Sequence, residues 1–247
     1  SYVVFGKNSG FPAVQDLSSL DGSNGFRLDG MADGDYLGSS VSDAGDMNGD
    51  GFDDLIVGAY YSEGSNGRHS GSSFVIFGKA SGFSAVMDLS SLDGNNGFRL
   101  DGVSEGDFSG RSVSNAGDVN GDGFDDLIIG AAGAEPNGPQ SGSSYVVYGK
   151  ASGFYAVMDL SSLDGSNGFR LDGVMEQDFS GLSVGTAGDI NGDGYDDLIL
   201  GAFGADPNGD SSGSSYVVFG KASSFSAAIN LSSLDGNNGF RLNGEAA

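Results

Sequence analysis

Residues 46–54 read DMNGDGFDD, with five oxygen-bearing side chains and two glycines in nine positions. Counted from Asp46, the oxygens fall at position 1 (Asp46), 3 (Asn48), 5 (Asp50) and 9 (Asp54), and Gly51 sits at 6. Alternate positions of a tight loop can converge on one point. A glycine at 6 permits the sharp turn that a Cβ would obstruct, and the carbonyl of Phe52 at 7 can point inward. An all-oxygen, mostly anionic set suits Ca²⁺, whose coordination is flexible, better than Mg²⁺, which demands a strict octahedron. The pattern returns as Asp118, Asn120, Asp122, the Phe124 carbonyl and Asp126, and again as Asp189, Asn191, Asp193, the Tyr195 carbonyl and Asp197. Three Ca²⁺ sites are therefore expected.

An EF-hand is excluded on two counts. Its bidentate glutamate belongs at position 12, where this chain has Val57, Ile129 and Leu200, and its flanks are helices, whereas DLIVGA reads as a strand. A dockerin-like loop fails on the same flanks. An ion-free, Asx-rich hairpin turn is the bland alternative, opposed by the repulsion among so many carboxylates. Asp53, Asp125 and Asp196 at position 8 are expected to face away and to cap backbone or solvent. The ion is expected to be structural, because the side-chain ligands saturate a site that Lewis-acid catalysis would need open.

The loops belong to a longer repeat. VVFGK at 3–7 returns at 75–79, 146–150 and 217–221, and SSLDGSNGFRLDG at 18–30 returns from 90, 161 and 232, so the spacing is 72, 71 and 71 residues. One unit reads as four strands: a small-residue strand (SVSDAGD), a continuously apolar one after the loop (DLIVGA), SSYVVFGK and GFRLDG. Each is bounded by Gly, Asn, Asp or Ser. Four short antiparallel strands per unit, with small residues on the crowded inner one, predict an all-β propeller. A tandem of small sandwiches is the alternative, although about 70 residues is short for an independent sandwich core.

In composition, Gly and Pro supply 50 of 247 residues, and the formal charge is −24. Clustered Lys and Arg are lacking, which argues against nucleic acid, and an anionic membrane surface would repel the chain. No run of 18 apolar residues exists, so nothing reads as a membrane-spanning helix. There is no cysteine, hence neither disulfide nor thiolate metal site. Ser1 already sits in the strand-like SYVVFG, and a signal peptide is expected to be absent or removed.

The stretch GDFSGRSVSNAGDVNGDGFDDLIIGAA at 106–132 resembles an FG-GAP repeat, the blade unit of integrin α-subunit propellers, and especially the FG-GAP arrays of bacterial secreted and surface proteins. The resemblance covers nearly the whole chain. It implies a propeller, usually seven-bladed, with calcium in the loops joining strands one and two, and a ligand face at the opposite end. It also implies a secreted or cell-surface protein in an adhesive or structural role. The signature departs locally: GAP appears as GAY, GAA and GAF, and FG as YLG, FSG and FSG.

On this reading residues 1–30 form a half-blade of strands three and four, and 31–102, 103–173 and 174–244 are whole blades. Three and a half blades do not close the usual ring. Two copies do not simply repair the count, since neither has a spare inner half. The chain is thus expected to be part of a larger propeller or array. Tyr2–Phe5 should present an unpaired edge and an uncovered apolar face, and the Ala247 end should abut another blade.

The repeats differ in length only between strands two and three, at 60–70, 132–141 and 203–212. Those loops are the expected face for a protein or glycan ligand. Tyr60, Tyr61 and Phe203 there could support a lectin-like propeller or an accessory domain of a polysaccharide-active enzyme, which is the alternative function. An enzyme is not expected. His69, the one histidine, lies beside Arg68 and Ser70 in a Ser/Gly-rich loop that fixes no orientation, and it is expected to be solvated. The acid pairs Asp33/Asp35, Glu105/Asp107 and Glu176/Asp178 recur as turns rather than as active sites. Phe26, Phe98, Phe169 and Phe240 recur once per repeat and should form blade-to-blade core.

Overall fold

The computed structural model describes residues 1–245. It is all-β, apart from four three-residue 3-10 turns among those residues. Strand β1 (Tyr2–Val4) pairs antiparallel with β2 (Gly25–Asp29). The first complete blade is β3 (Ser40–Gly45), β4 (Asp54–Ala59), β5 (Ser72–Ile76) and β7 (Gly97–Asp101), antiparallel throughout. The second is β8 (Ser112–Gly117), β9 (Asp126–Ala131), β10 (Ser143–Val147) and β12 (Gly168–Asp172). The third is β13 (Ser183–Gly188), β14 (Asp197–Ala202), β15 (Ser214–Val218) and β17 (Gly239–Asn243). The molecule is a propeller segment of three blades preceded by two outer strands.

Small residues on the inner strands let successive blades approach closely. The amides of Val113 and Val184 donate to the hydroxyls of Ser40 and Ser112, at 3.0 and 3.2 Å. The second strand is apolar because it is covered by neighbouring blades: in the middle blade Leu127, Ile128 and Ile129 are buried on both faces, whereas in the third Leu198 and Leu200 are buried and Ile199 is exposed. The core lies between blades. Phe98 and Leu100 of one blade, for example, pack with Tyr145 and Val147 of the next.

Four strands per unit is incomplete. The connection between strands three and four throws a short fifth strand onto the preceding blade. Strands β6 (Val86–Asp88), β11 (Val157–Asp159) and β16 (Ala228–Asn230) pair in parallel with β2, β7 and β12. Each runs directly into a 3-10 turn whose first amides are capped by the side chain of Asp88, Asp159 or Asn230. The expectation for Tyr2–Phe5 holds for the edge, where β1 ends its sheet, and for one face, but not for the other. Alternation sends Val3 and Phe5 to one face, where they pack against the first blade, and Phe5 meets Phe26 and Phe83 at 5.8 and 5.4 Å. Only the Tyr2 and Val4 face is open. Phe26, Phe98 and Phe169 are buried between blades as expected, while Phe240 is only half-buried. Ala247 lies outside the described residues.

Candidate metal centre

Each acidic loop connects the first two strands of its blade, after a bulge that closes the first strand at Gly45, Gly117 or Gly188. The loop folds around its own carboxylates. Asp46 accepts from the amides of Asp50 (3.0 Å) and Gly51 (2.9 Å), Asn48 from Asp50 (2.9 Å), and Asp50 from Phe52 (3.0 Å). Gly51 supplies the left-handed backbone (φ 88°) that this reversal needs. Asp118, Asn120 and Asp122 repeat the pattern, as do Asp189, Asn191 and Asp193.

The ninth position differs in kind. Asp54, Asp126 and Asp197 are fully buried. Each ties two segments, accepting from Met47 and Gly78, from Val119 and Gly149, and from Ile190 and Gly220, at 2.7–3.1 Å. Burial pushes Asp54 up to about 7 and Asp126 to about 8, against the pull of those amides, with the neighbouring loop acids adding to the rise. Asp197 is raised for the same cause.

Among the described residues, no group of three or more Asp, Glu, His or Cys side chains is arranged to hold a metal ion. The loop amides sit on the carboxylate oxygens instead. The donor chemistry nonetheless fits a hard cation. Each oxygen that accepts one amide keeps a further lone pair, and the ion pairs of the described residues, Arg27–Asp29, Arg99–Asp101 and Arg170–Asp172, leave the loop acids without a counter-charge.

The loops also join blades. Asp125 and Asp196 do cap backbone, but that of the preceding blade: they accept from the amides of Asp46 (2.7 Å) and Asp118 (2.9 Å). In the opposite direction, the carbonyls of Met47 and Val119 accept from the amides of Lys150 and Lys221. The side chains of Met47 and Val119 are buried against the next blade's core, whereas their counterpart Ile190, in the last blade of the described residues, is exposed. Position 8 is invisible to spacing as an interblade contact, because the partner amide lies about 78 residues away.

At the other end of the blades His69 is half-buried rather than solvated. Its ring lies 3.9 Å from that of Tyr61 and 6.0 Å from that of Phe108, on a left-handed backbone (φ 57°). Tyr36 and Tyr60 pack in turn against Tyr61 and against each other, and the Arg111 guanidinium lies 4.7 Å over the Tyr60 ring. Ser70 is buried and makes no hydrogen bond to His69 among the described residues. The acids of the recurring turns cap their own backbone: Asp35, Asp107 and Asp178 accept from Ala32, Ser104 and Met175 at 2.9–3.0 Å.

The FG-GAP repeat family matches residues 38–74, 109–147 and 180–218. Integrin alpha-4 of Xenopus laevis is 33% identical over 179 residues, 72% of this chain and 15% of that protein. Integrin alpha-V of Gallus gallus is 34% identical over 179 residues, 69% of this chain and 15% of its own length. A phosphatidylinositol-glycan-specific phospholipase D of Dictyostelium discoideum is 27% identical over 242 residues, 92% of this chain and 24% of that protein. The chain thus spans only a small part of each relative. The three matched segments each run from the turn before the inner strand, through an acidic loop, to the third strand, and on that agreement the chain belongs to the FG-GAP repeat proteins, in an integrin α-like form.

Proposed function

We propose that the chain is a calcium-stabilised, extracellular propeller segment that serves as an adhesive or structural interaction module. The observation that carries this reading is the threefold loop: carboxylates without counter-charge, organised on their own amides and fastened to the next blade. Asp46, Asn48, Asp50, Asp54 and the Phe52 carbonyl would hold one ion, and the equivalent residues of 118–126 and 189–197 two more. Bound Ca²⁺ supplies neutralisation. The protein's own part is to hold the acids in the loop and to transmit the loop's order through Asp125, Asp196, Met47 and Val119. Equilibrium dialysis with ⁴⁵Ca²⁺ is expected to find three ions per chain, and two after Asp118→Ala with Asp122→Ala. Undetectable binding at millimolar calcium would sink the reading.

The module is read as non-catalytic. Its recurring acids are occupied in capping turns, and His69 is stacked on Tyr61 with no hydrogen bond from the Ser70 hydroxyl. A second reading, a glycan ligand on the strand two-to-three loops, is favoured by the aromatic cluster of Tyr36, Tyr60, Tyr61 and Phe108. Saturable binding on a glycan array, lost with Tyr60→Ala and Tyr61→Ala, would establish it over a protein ligand.

A further inference from the structure

The units are close copies of one another, but on the strand two-to-three loop face the middle one departs. Where the first blade carries Tyr60 and Tyr61 and the third Phe203 and Gly204, the second carries Ala132 and Gly133. Aromatic rings border the gap. Phe108 lies against Tyr60 and Tyr61, with centroids 6.3 and 5.7 Å away, and Phe179 stacks on Phe203 at 5.2 Å. Together with Ala132 and Gly133 these rings line a hollow of about 420 Å³, room enough for a small ligand. No larger side chain can close it from Gly133, because a Cβ there would meet the Phe108 ring at 2.7 Å.

The same unit alone carries a cation here. Arg111 takes the place held by Ser39 and Leu182 in the other blades. Its guanidinium lies on the Tyr60 ring, lines the hollow and makes no ion pair among the described residues. The chain has 34 Asp and Glu against 10 Lys and Arg, so an arginine left without a carboxylate is a group open to a ligand's anion. Every residue that lines the hollow lies in a turn or loop, and no strand edge is there for a peptide backbone to pair with.

We infer that this hollow binds a carboxylated pyranose, a single uronic-acid ring of a glycan, with its carboxylate on Arg111. The inference rests on the glycan reading above and adds to it the place and the charge of the bound ring. A guanidinium presents two parallel N–H donors that match the two oxygens of a carboxylate. The faces of Tyr and Phe rings cover the C–H side of a sugar while its hydroxyls stay in water. The exposed Gln140 amide, which also lines the hollow, can donate to or accept from those hydroxyls. The formal charge of −24 opposes a run of anionic sugars, so one acidic ring among neutral ones is the ligand that fits.

Saturation-transfer NMR on the full chain in calcium tests this, with methyl uronides of the gluco, galacto and manno series, each beside its neutral parent glycoside. At least one uronide is expected to bind saturably, and its parent about tenfold or more weakly, the scale of a charge-assisted hydrogen bond. Arg111→Gln should bring that uronide down to its parent's level. Ala132→Tyr, which fills the gap with the first blade's residue, should abolish binding of both, while Arg68→Gln, outside the hollow, should change neither. Near-ultraviolet circular dichroism checks that the variants stay folded. A uronide and its parent bound equally, or a preference that survives Arg111→Gln, overturns the inference and leaves the glycan reading standing. So does a panel in which only neutral sugars bind. If no sugar binds and a peptide carboxylate occupies the hollow instead, the inference and the glycan reading fall together.

Discussion

Chelation with EGTA is expected to lower the melting temperature by roughly 15–30 °C. At calcium about a hundredfold above its dissociation constant, one site adds about 2.7 kcal/mol, and three add about 8 kcal/mol. A protein of this size loses a few degrees for each kcal/mol. The effect should spread, because the position-8 carboxylates and the Met47 and Val119 side chains connect each ordered loop to the following blade. Limited proteolysis should open the third loop first, since Ile190 lacks the cover that Met47 and Val119 enjoy. A melting curve unmoved after verified removal of calcium would refute the structural role of the ion.

Gly130→Ala is expected to cost about 3 kcal/mol or more, while Gly201→Ala, at the equivalent position one blade later, should stay within about 0.5 kcal/mol. Both glycines lie in the second strand of a blade, and neither has a left-handed backbone. They differ in what comes next. A Cβ on Gly130 would overlap the carbonyl oxygen of Gly181 in the following blade, a backbone atom that cannot rotate away, and Gly58 stands in the same relation to Gly110. A Cβ on Gly201 would meet Ser183 at 3.7 Å, an ordinary contact. Urea denaturation of the two variants reads the difference directly. Equal losses would show that blade approach is not what fixes this glycine.

How much of this is legible in the residues depends on the range over which the information acts. The acidic loops and the four antiparallel strands are written locally, in alternate oxygens, a glycine at position 6 and short β-branched runs, and the structure places those strands where the pattern has them. The fifth strand is not. Three residues such as Val86–Asp88 carry no periodicity, and their pairing in parallel with β2 joins segments about 59 residues apart. The recurrence of FxA four residues after each GK is the one signal that could have marked it. Asp125 and Asp196 show the same limit from the other side: capping can be guessed from residue type, but the capped blade cannot. His69 was expected in solvent because its neighbours are Ser, Gly and Arg. The left-handed turn that lays it on Tyr61 is a property of the loop, with no side-chain signature.

The stacking of Phe26, Phe98 and Phe169 on Phe83, Phe154 and Phe225, with the parallel fifth strand, has a consequence for how such a chain changes length. Every joint uses the same residues at the same offsets, and the units recur at 71 or 72 residues. Removing or inserting one full period between equivalent points, wherever those points fall, leaves each remaining Phe with its stacking partner and each outer strand with its guest. Blade number can therefore drift by unequal crossing-over without any compensating substitution at an interface, whereas a cut of any other length breaks a joint on both sides.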